Sequence, residues 1–148
     1  MIQKTARPAL LIAAADLFIK LIPLGGDRTL IPGVLMLHPV TNHGVAFGFF
    51  AASPLVNIAL TGIITLAAAV WLYAHPPRGL FREGAAMMLG GSLGNLLDRA
   101  IHGAVSDYLL LTFVSFPVFN LADIFITLGA GILILSLLLS GKAENQWP

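Results

Sequence analysis

Three aspartates, Asp98, Asp107 and Asp123, lie between Gly90 and Asp123 in otherwise apolar sequence, together with Asn95, Arg99 and Asn120. Ionisable groups beside long hydrophobic runs are costly to keep, and their default reading is a functional site. Two carboxylates can hydrolyse an amide with water alone. One takes the proton of the water, and the other, protonated, polarises the carbonyl. Two close carboxylates do not both ionise cheaply, so such a pair shares a proton. This chemistry requires no cofactor.

The pair is not fixed by spacing. Asp98 is followed by Arg99, and Asp16 stands one helical turn before Lys20, so each reads as half of an ion pair. Asp107 and Asp123 have no basic residue within four positions, which gives them only a weak preference. Other chemistries fit less well. Cysteine is absent, which removes disulfides, thiol nucleophiles and cysteine zinc sites together. The histidines, His38, His43, His75 and His102, do not fall at metal-ligand spacing, and no HExxH motif is present, so no metal site is expected. A serine with Lys20 as base is the weaker alternative, because no serine stands out.

The elements that would position these groups belong to a membrane protein. The chain has 148 residues, 57% hydrophobic and only 10% charged. Its mean hydropathy is +0.90. Soluble domains carry about 25% charged residues. A net charge of +1 leaves no broad basic surface for nucleic acid. One integral membrane domain over residues 1–148 is expected.

Four spans are expected, over about residues 8–22, 54–74, 80–100 and 120–140, with extramembrane segments 23–53 and 101–119. The first resembles a signal peptide, with Lys4 and Arg7 before an apolar run. A signal peptide's apolar core, however, does not usually run into an Asp and a Lys. On a helix Ala9, Ala13, Asp16 and Lys20 share one face. Segment 23–53 is too rich in Gly and Pro to cross. Its β-forming residues predict short strands at the membrane surface, ending in an aromatic patch, Phe47, Phe49 and Phe50, that anchors at the interface or forms a flap. In the second span Asn57, Thr61 and Thr65 share a face, and Trp71 and Tyr73 close it. In the third, Gly90 and Gly94 permit close packing.

The lysines and arginines set the expected orientation. Lys4, Arg7, Arg78, Arg82 and Lys142 fall on one side and Arg28 and Arg99 on the other, five against two, which puts both termini in the cytoplasm. The polar stripes of three helices then converge near the outer interface. They comprise Asp16 and Lys20; Gly91, Gly94, Asn95, Asp98 and Arg99; and Asn120, Asp123, Thr127 and Gly131.

Four groups in this order resemble the bacterial lipoprotein signal peptidases, the type II signal peptidases. They are Asp16 with Lys20; Asn42-His-Gly-Val-Ala-Phe47; Gly91-Ser-Leu-Gly-Asn-Leu-Leu-Asp-Arg99 with Val105-Ser-Asp107; and Pro117-Val-Phe-Asn-Leu-Ala-Asp123. The resemblance covers nearly the whole chain. It implies a mainly α membrane protein, a four-transmembrane-helix bundle with a small outer β-cradle in the bacterial cytoplasmic (inner) membrane. It implies an aspartic endopeptidase that cleaves diacylglyceryl-modified prolipoproteins before the lipidated cysteine, with Asp107 and Asp123 as the catalytic dyad. Asn42, Gly44, Asn95, Asp98, Arg99, Asn120 and Ala122 match positions that shape the site or contact substrate, and Asp16 and Lys20 match a pair near the outer end of the first helix. The expected partners are prolipoprotein substrates and membrane lipid, with a monomer as the working unit. The sequence departs from the family's usual pattern at Leu17, Val45, Ser106 and Tyr108, and the segment from Phe47 to Pro54 is short.

Two rival readings remain at this level. A small transporter would also carry intramembrane carboxylates, but its polar groups should extend through the bundle rather than gather at one interface. A non-catalytic scaffold would use them only for packing.

Overall fold

The computed structural model describes residues 3–44 and 53–140. The expected aromatic patch, Phe47, Phe49 and Phe50, and the tail from Gly141 to Pro148 lie outside the described residues. Among the described residues four helices, α1 (Gln3–Lys20), α2 (Pro54–Ala74), α3 (Gly79–His102) and α4 (Leu121–Ser140), are joined by three strands, β1 (Arg28–Ile31), β2 (Leu35–Asn42) and β3 (Val105–Leu111). The helices fall close to the expected spans. Segment 101–119 was expected only as an extramembrane stretch, yet it contains β3.

Helix α3 is the centre of the bundle, with α1, α2 and α4 packed on it. Small residues make this possible. A Cβ on Gly94 would sit 2.6 Å from Asp16 Oδ2, and one on Gly129 of α4 would sit 2.7 Å from the Gly84 carbonyl oxygen. Backbone thus meets backbone between α3 and α4, as in close-packed membrane helices. The face expected on α1 is the buried one: Thr5, Ala9, Ala13 and Asp16 point inward, while Leu10, Leu11 and Phe18 are exposed.

Burial is inverted relative to a soluble protein. The largest fully buried side chains are Asn57, Asn120, Asp16 and Asp98, while Leu55, Ile63, Leu66, Leu128, Ile134 and Leu138 are exposed. This is the distribution expected when the surrounding medium is hydrocarbon. Among the described residues two helices are apolar and long enough to cross a bilayer on composition alone, over Leu55–Ala74 and Leu121–Leu139. Helices α1 and α3 carry the charged residues that lower their hydropathy.

The three strands form an antiparallel sheet in the order β1-β2-β3. Val40 pairs with Asp107 and Asn42 with Val105, and a register shift lies between Leu37 and Val40. The chain then returns to β3. Phe119 N–H donates to Leu109 O at 2.9 Å, and Leu109 N–H donates to Phe119 O at 2.8 Å. That return delivers Asn120, and with it the start of α4, beside Asp107.

The glycine contacts predict a contrast between two residues of one helix. Gly129→Ala should lower stability by about 1–3 kcal/mol, because its methyl meets backbone. Gly131→Ala has open space around the new Cβ. It should be neutral or stabilising by up to about 1 kcal/mol. Thermal melting of the two purified variants in one detergent checks this; equal losses would refute the α3–α4 contact.

Candidate active site

The site lies where the C-terminal ends of α1 and α3 meet the N-terminal end of α4 and strands β2 and β3. Asp107 comes from β3 and is 3% exposed. Its Oδ2 accepts from Asn42 Nδ2 at 2.8 Å, and its Oδ1 accepts from Asn120 Nδ2 at 2.6 Å. Asp123 comes from the first turn of α4. Its Oδ1 accepts from Asn95 Nδ2 at 2.8 Å, and its Oδ2 accepts from the Asn120 backbone N–H at 3.1 Å.

Asn120 therefore touches both carboxylates. It also caps α4: its Oδ1 accepts the Asp123 N–H at 3.0 Å while Asp123 reaches back to the Asn120 N–H. This reciprocal capping arrangement satisfies two helix-start donors and places a carboxylate where the helix dipole favours it. Local helix chemistry thus fixes Asp123 on Asn120, and the Asn120 amide ties that pair to Asp107 on β3.

A second polar layer lies behind the first. Lys20 Nζ is 2.8 Å from Asp16 Oδ2 and 3.4 Å from Asp98 Oδ2, and it donates to Asn95 Oδ1 at 2.9 Å. The Ala122 N–H donates to Asp16 Oδ1 at 2.9 Å, tying α4 to α1. Asp98 also accepts the Ser106 N–H at 2.7 Å and contacts His102 Nδ1 at 2.7 Å. Arg99 donates to the Gly44 carbonyl at 3.0 Å, and the Gly44 N–H donates to Asn42 Oδ1 at 3.0 Å.

All eleven residues singled out from sequence, Asp16, Lys20, Asn42, Gly44, Asn95, Asp98, Arg99, Asp107, Asn120, Ala122 and Asp123, meet in this one network. One expected pairing is corrected. Asp98 does not pair with Arg99; it faces Lys20, His102 and the start of β3. Adjacent residues on a helix point about 100° apart, so one turns inward to α1 while the other reaches to the end of β2.

Three contributors were missed. His102 lies one turn beyond Asp98, and the i,i+4 spacing was visible in the sequence. The Tyr108 hydroxyl accepts the Leu121 N–H at 3.1 Å, and burial pushes that phenol up to about 12, so it remains neutral. Asn57 donates to the His43 carbonyl at 2.6 Å, holding α2 to the chain beside Gly44. Among the described residues no cluster of His, Asp or Glu could hold a metal ion.

A cleft of about 250 Å³ opens next to Asp107, lined among others by Lys20, Thr41, Ser106 and Tyr108. Burial is the main cause that pushes Asp107 up to about 6, opposed by the Asn42 hydrogen bond. The charge of Asp123 adds to the rise, and the Asn120 hydrogen bond and the Lys20 charge oppose it. The donors on both its oxygens stabilise the anion, yet they do not offset the loss of hydration.

The fold has solved counterparts. One structure described as a bacterial membrane enzyme matches 100% of this chain and 95% of its own at TM-score 0.85 and 24% identity. A second of the same description matches 93% of this chain and 94% of its own at TM-score 0.77 and 25% identity. The bundle with its three-stranded sheet is thus the fold of those two structures.

A family model described as Signal peptidase (SPase) II matches residues 8–139. A lipoprotein signal peptidase of Brevibacillus brevis is 37% identical over 132 residues, 87% of each chain. One from Brucella ovis is 43% identical over 126 residues, 82% of this chain and 78% of that one. The chain belongs to the signal peptidase II family.

A raised carboxyl pKa has a definite sign for stability. Asp107 favours folding when protonated, so its contribution is complete below its ordinary value of 3.8 and is lost as pH rises through about 6. The loss amounts to at most about 3 kcal/mol. The melting temperature of wild type minus that of Asp107→Asn should therefore fall between pH 4 and pH 7, both values about the bounds of that window. A difference that rises with pH would contradict the burial account.

Proposed function

We propose that this protein is an integral membrane aspartic endopeptidase. It removes the signal peptide from diacylglyceryl-modified prolipoproteins by cutting before the lipidated cysteine, with Asp107 and Asp123 as the catalytic pair. The observation that carries this reading is Asn120, which hydrogen-bonds both carboxylates at the polar end of an otherwise apolar bundle. The names of the relatives supply the substrate class: they are lipoprotein signal peptidases.

In this reading all four helices cross the bilayer, both termini are cytoplasmic, and the dyad lies near the outer face of the bacterial inner membrane. The excess of Lys and Arg on the terminal side supports that orientation. The apolar signal segment approaches laterally from the lipid, and its backbone extends at the site. One chain supplies every group that the reaction uses, so a monomer suffices.

The chemistry balances without a cofactor. Water oxygen bonds to the amide carbon, and its proton passes to Asp123. Asp107, the carboxyl that burial pushes up to about 6, gives its proton to the carbonyl oxygen. The tetrahedral carbon then expels the cysteine nitrogen, which leaves with the proton that Asp123 took up, and the hydroxyl proton returns to Asp107. When Asp107 holds a proton, it no longer needs both amide donors. Asn42 or Asn120 is then released to hydrogen-bond the substrate backbone. Arg99, anchored on the Gly44 carbonyl, fixes the end of β2 on which Asn42 sits.

Asp107→Asn and Asp123→Asn should each lower cleavage of a lipid-modified precursor by about 1,000-fold or more, the scale expected when a required acid or base is lost. Both variants should still insert into the membrane. The assay is precursor processing in proteoliposomes. Turnover near the wild-type rate in either variant would remove the dyad assignment.

A further inference from the structure

Lys20 touches neither carboxylate of the dyad through an ion pair, although its side chain is only 2% exposed and sits directly behind them. Two of its contacts, Asp16 and Asp98, balance its charge. The third, Asn95 Oδ1 at 2.9 Å, is different in kind. Asn95 is an amide that can be turned either way, and its orientation decides what Asp123 faces.

The donors around Asn95 allow one orientation. Its Oδ1 receives two, Lys20 Nζ and Asn120 Nδ2 at 3.1 Å, while its Nδ2 donates to Asp123 Oδ1. Turned over, the amide would set its NH2 against an ammonium and a second NH2, and its carbonyl against a carboxylate. An ammonium has donors only and cannot adapt to the turned amide. Asn120 alone holds the orientation less firmly, because it is a neutral donor at 3.1 Å whereas Lys20 is a charged one at 2.9 Å.

We propose that Lys20 is a positioning residue that acts through Asn95, locking the amide so that it donates to Asp123. Asp16 and Asp98 keep the ammonium buried and in place for that task. The inference rests on the proposed role of Asp123 as a member of the dyad. Lys20 does not touch the reacting atoms, so its loss should alter the chemical step more than substrate binding.

The test is a double-mutant cycle on the full-length protein with a lipid-modified precursor peptide. Lys20→Met leaves Asp16 and Asp98 without their cation, so the cycle is run in an Asp16→Asn background, in which the double variant has the same summed charge at positions 16, 20 and 98 as wild type and Asp98 keeps the Ser106 N–H and His102. Relative to Asp16→Asn alone, adding Lys20→Met should lower kcat about 10- to 100-fold with KM within about threefold. Adding Asn95→Ala to that pair should cost less than about a further threefold, because the two residues act in series. Melting should be lower in Asp16→Asn/Lys20→Met than in Asp16→Asn, because Asp98 loses its cation, so kcat is read well below both melting midpoints with the folded fraction measured alongside. Losses that multiply, unchanged kcat, or a kcat loss accounted for by loss of folded protein at the assay temperature would overturn the proposal. If wild type fails to cleave, or Asp123→Asn cleaves normally, the functional reading falls. If those controls behave and the Lys20 cycle is silent, only this inference falls.

Discussion

Buried carboxylates constrain this molecule more than anything else. Asp16, Asp98 and Asp107 are nearly inaccessible, and Asp123 stands against the same network. An ionised carboxylate without partners is very costly in an apolar medium. Each therefore has to find donors, and the donors come from different elements: Lys20 from α1, Asn42 from β2, Asn95 from α3, and Asn120 and Ala122 from the start of α4. Satisfying the acids is the same act as assembling one end of the bundle.

The fold follows from that demand. Glycines on α3 let α1 and α4 approach closely enough for short side chains to meet. The sheet brings Asn42 and Asp107 to the same end, and the β-bridge between Leu109 and Phe119 returns the chain so that Asn120 can serve Asp107 while capping α4. Neutral amides rather than cations contact the proposed dyad directly. A cation bonded to either acid would hold it ionised, whereas amides orient it and leave its proton free to move.

Much of this was legible in the sequence because it is local. The α1 face of Ala9, Ala13 and Asp16 and the three-residue spacing of Asn120 and Asp123 follow from helical periodicity, and the gathering of the polar stripes at one end of the bundle follows from the alternating direction of successive helices. The partner of Asp98 was not legible from adjacency. Its neighbour Arg99 suggested a pair, but the helix turns the two apart and the cation comes from Lys20 on α1. Strand β3 was missed for a related reason: its pairing with β2 joins residues such as Val40 and Asp107, far apart in the chain. Spacing also left the two aspartate pairs nearly equal. The resemblance preferred Asp107 with Asp123, and the geometry adds that these two share Asn120 while Asp16 and Asp98 share Lys20.

The proposed dyad, Asp107 and Asp123, is one electrostatically coupled unit. The direct measurement is the titration of Asp107 by carbon-13 NMR of labelled aspartate in bilayers, in wild type and in Asp123→Asn. Burial and the neighbouring charge place the wild-type midpoint at about 6. Removing the charge of Asp123 should lower it, since a like charge raises a carboxyl pKa. A midpoint that does not move when Asp123 is neutralised would show that the two acids are not coupled.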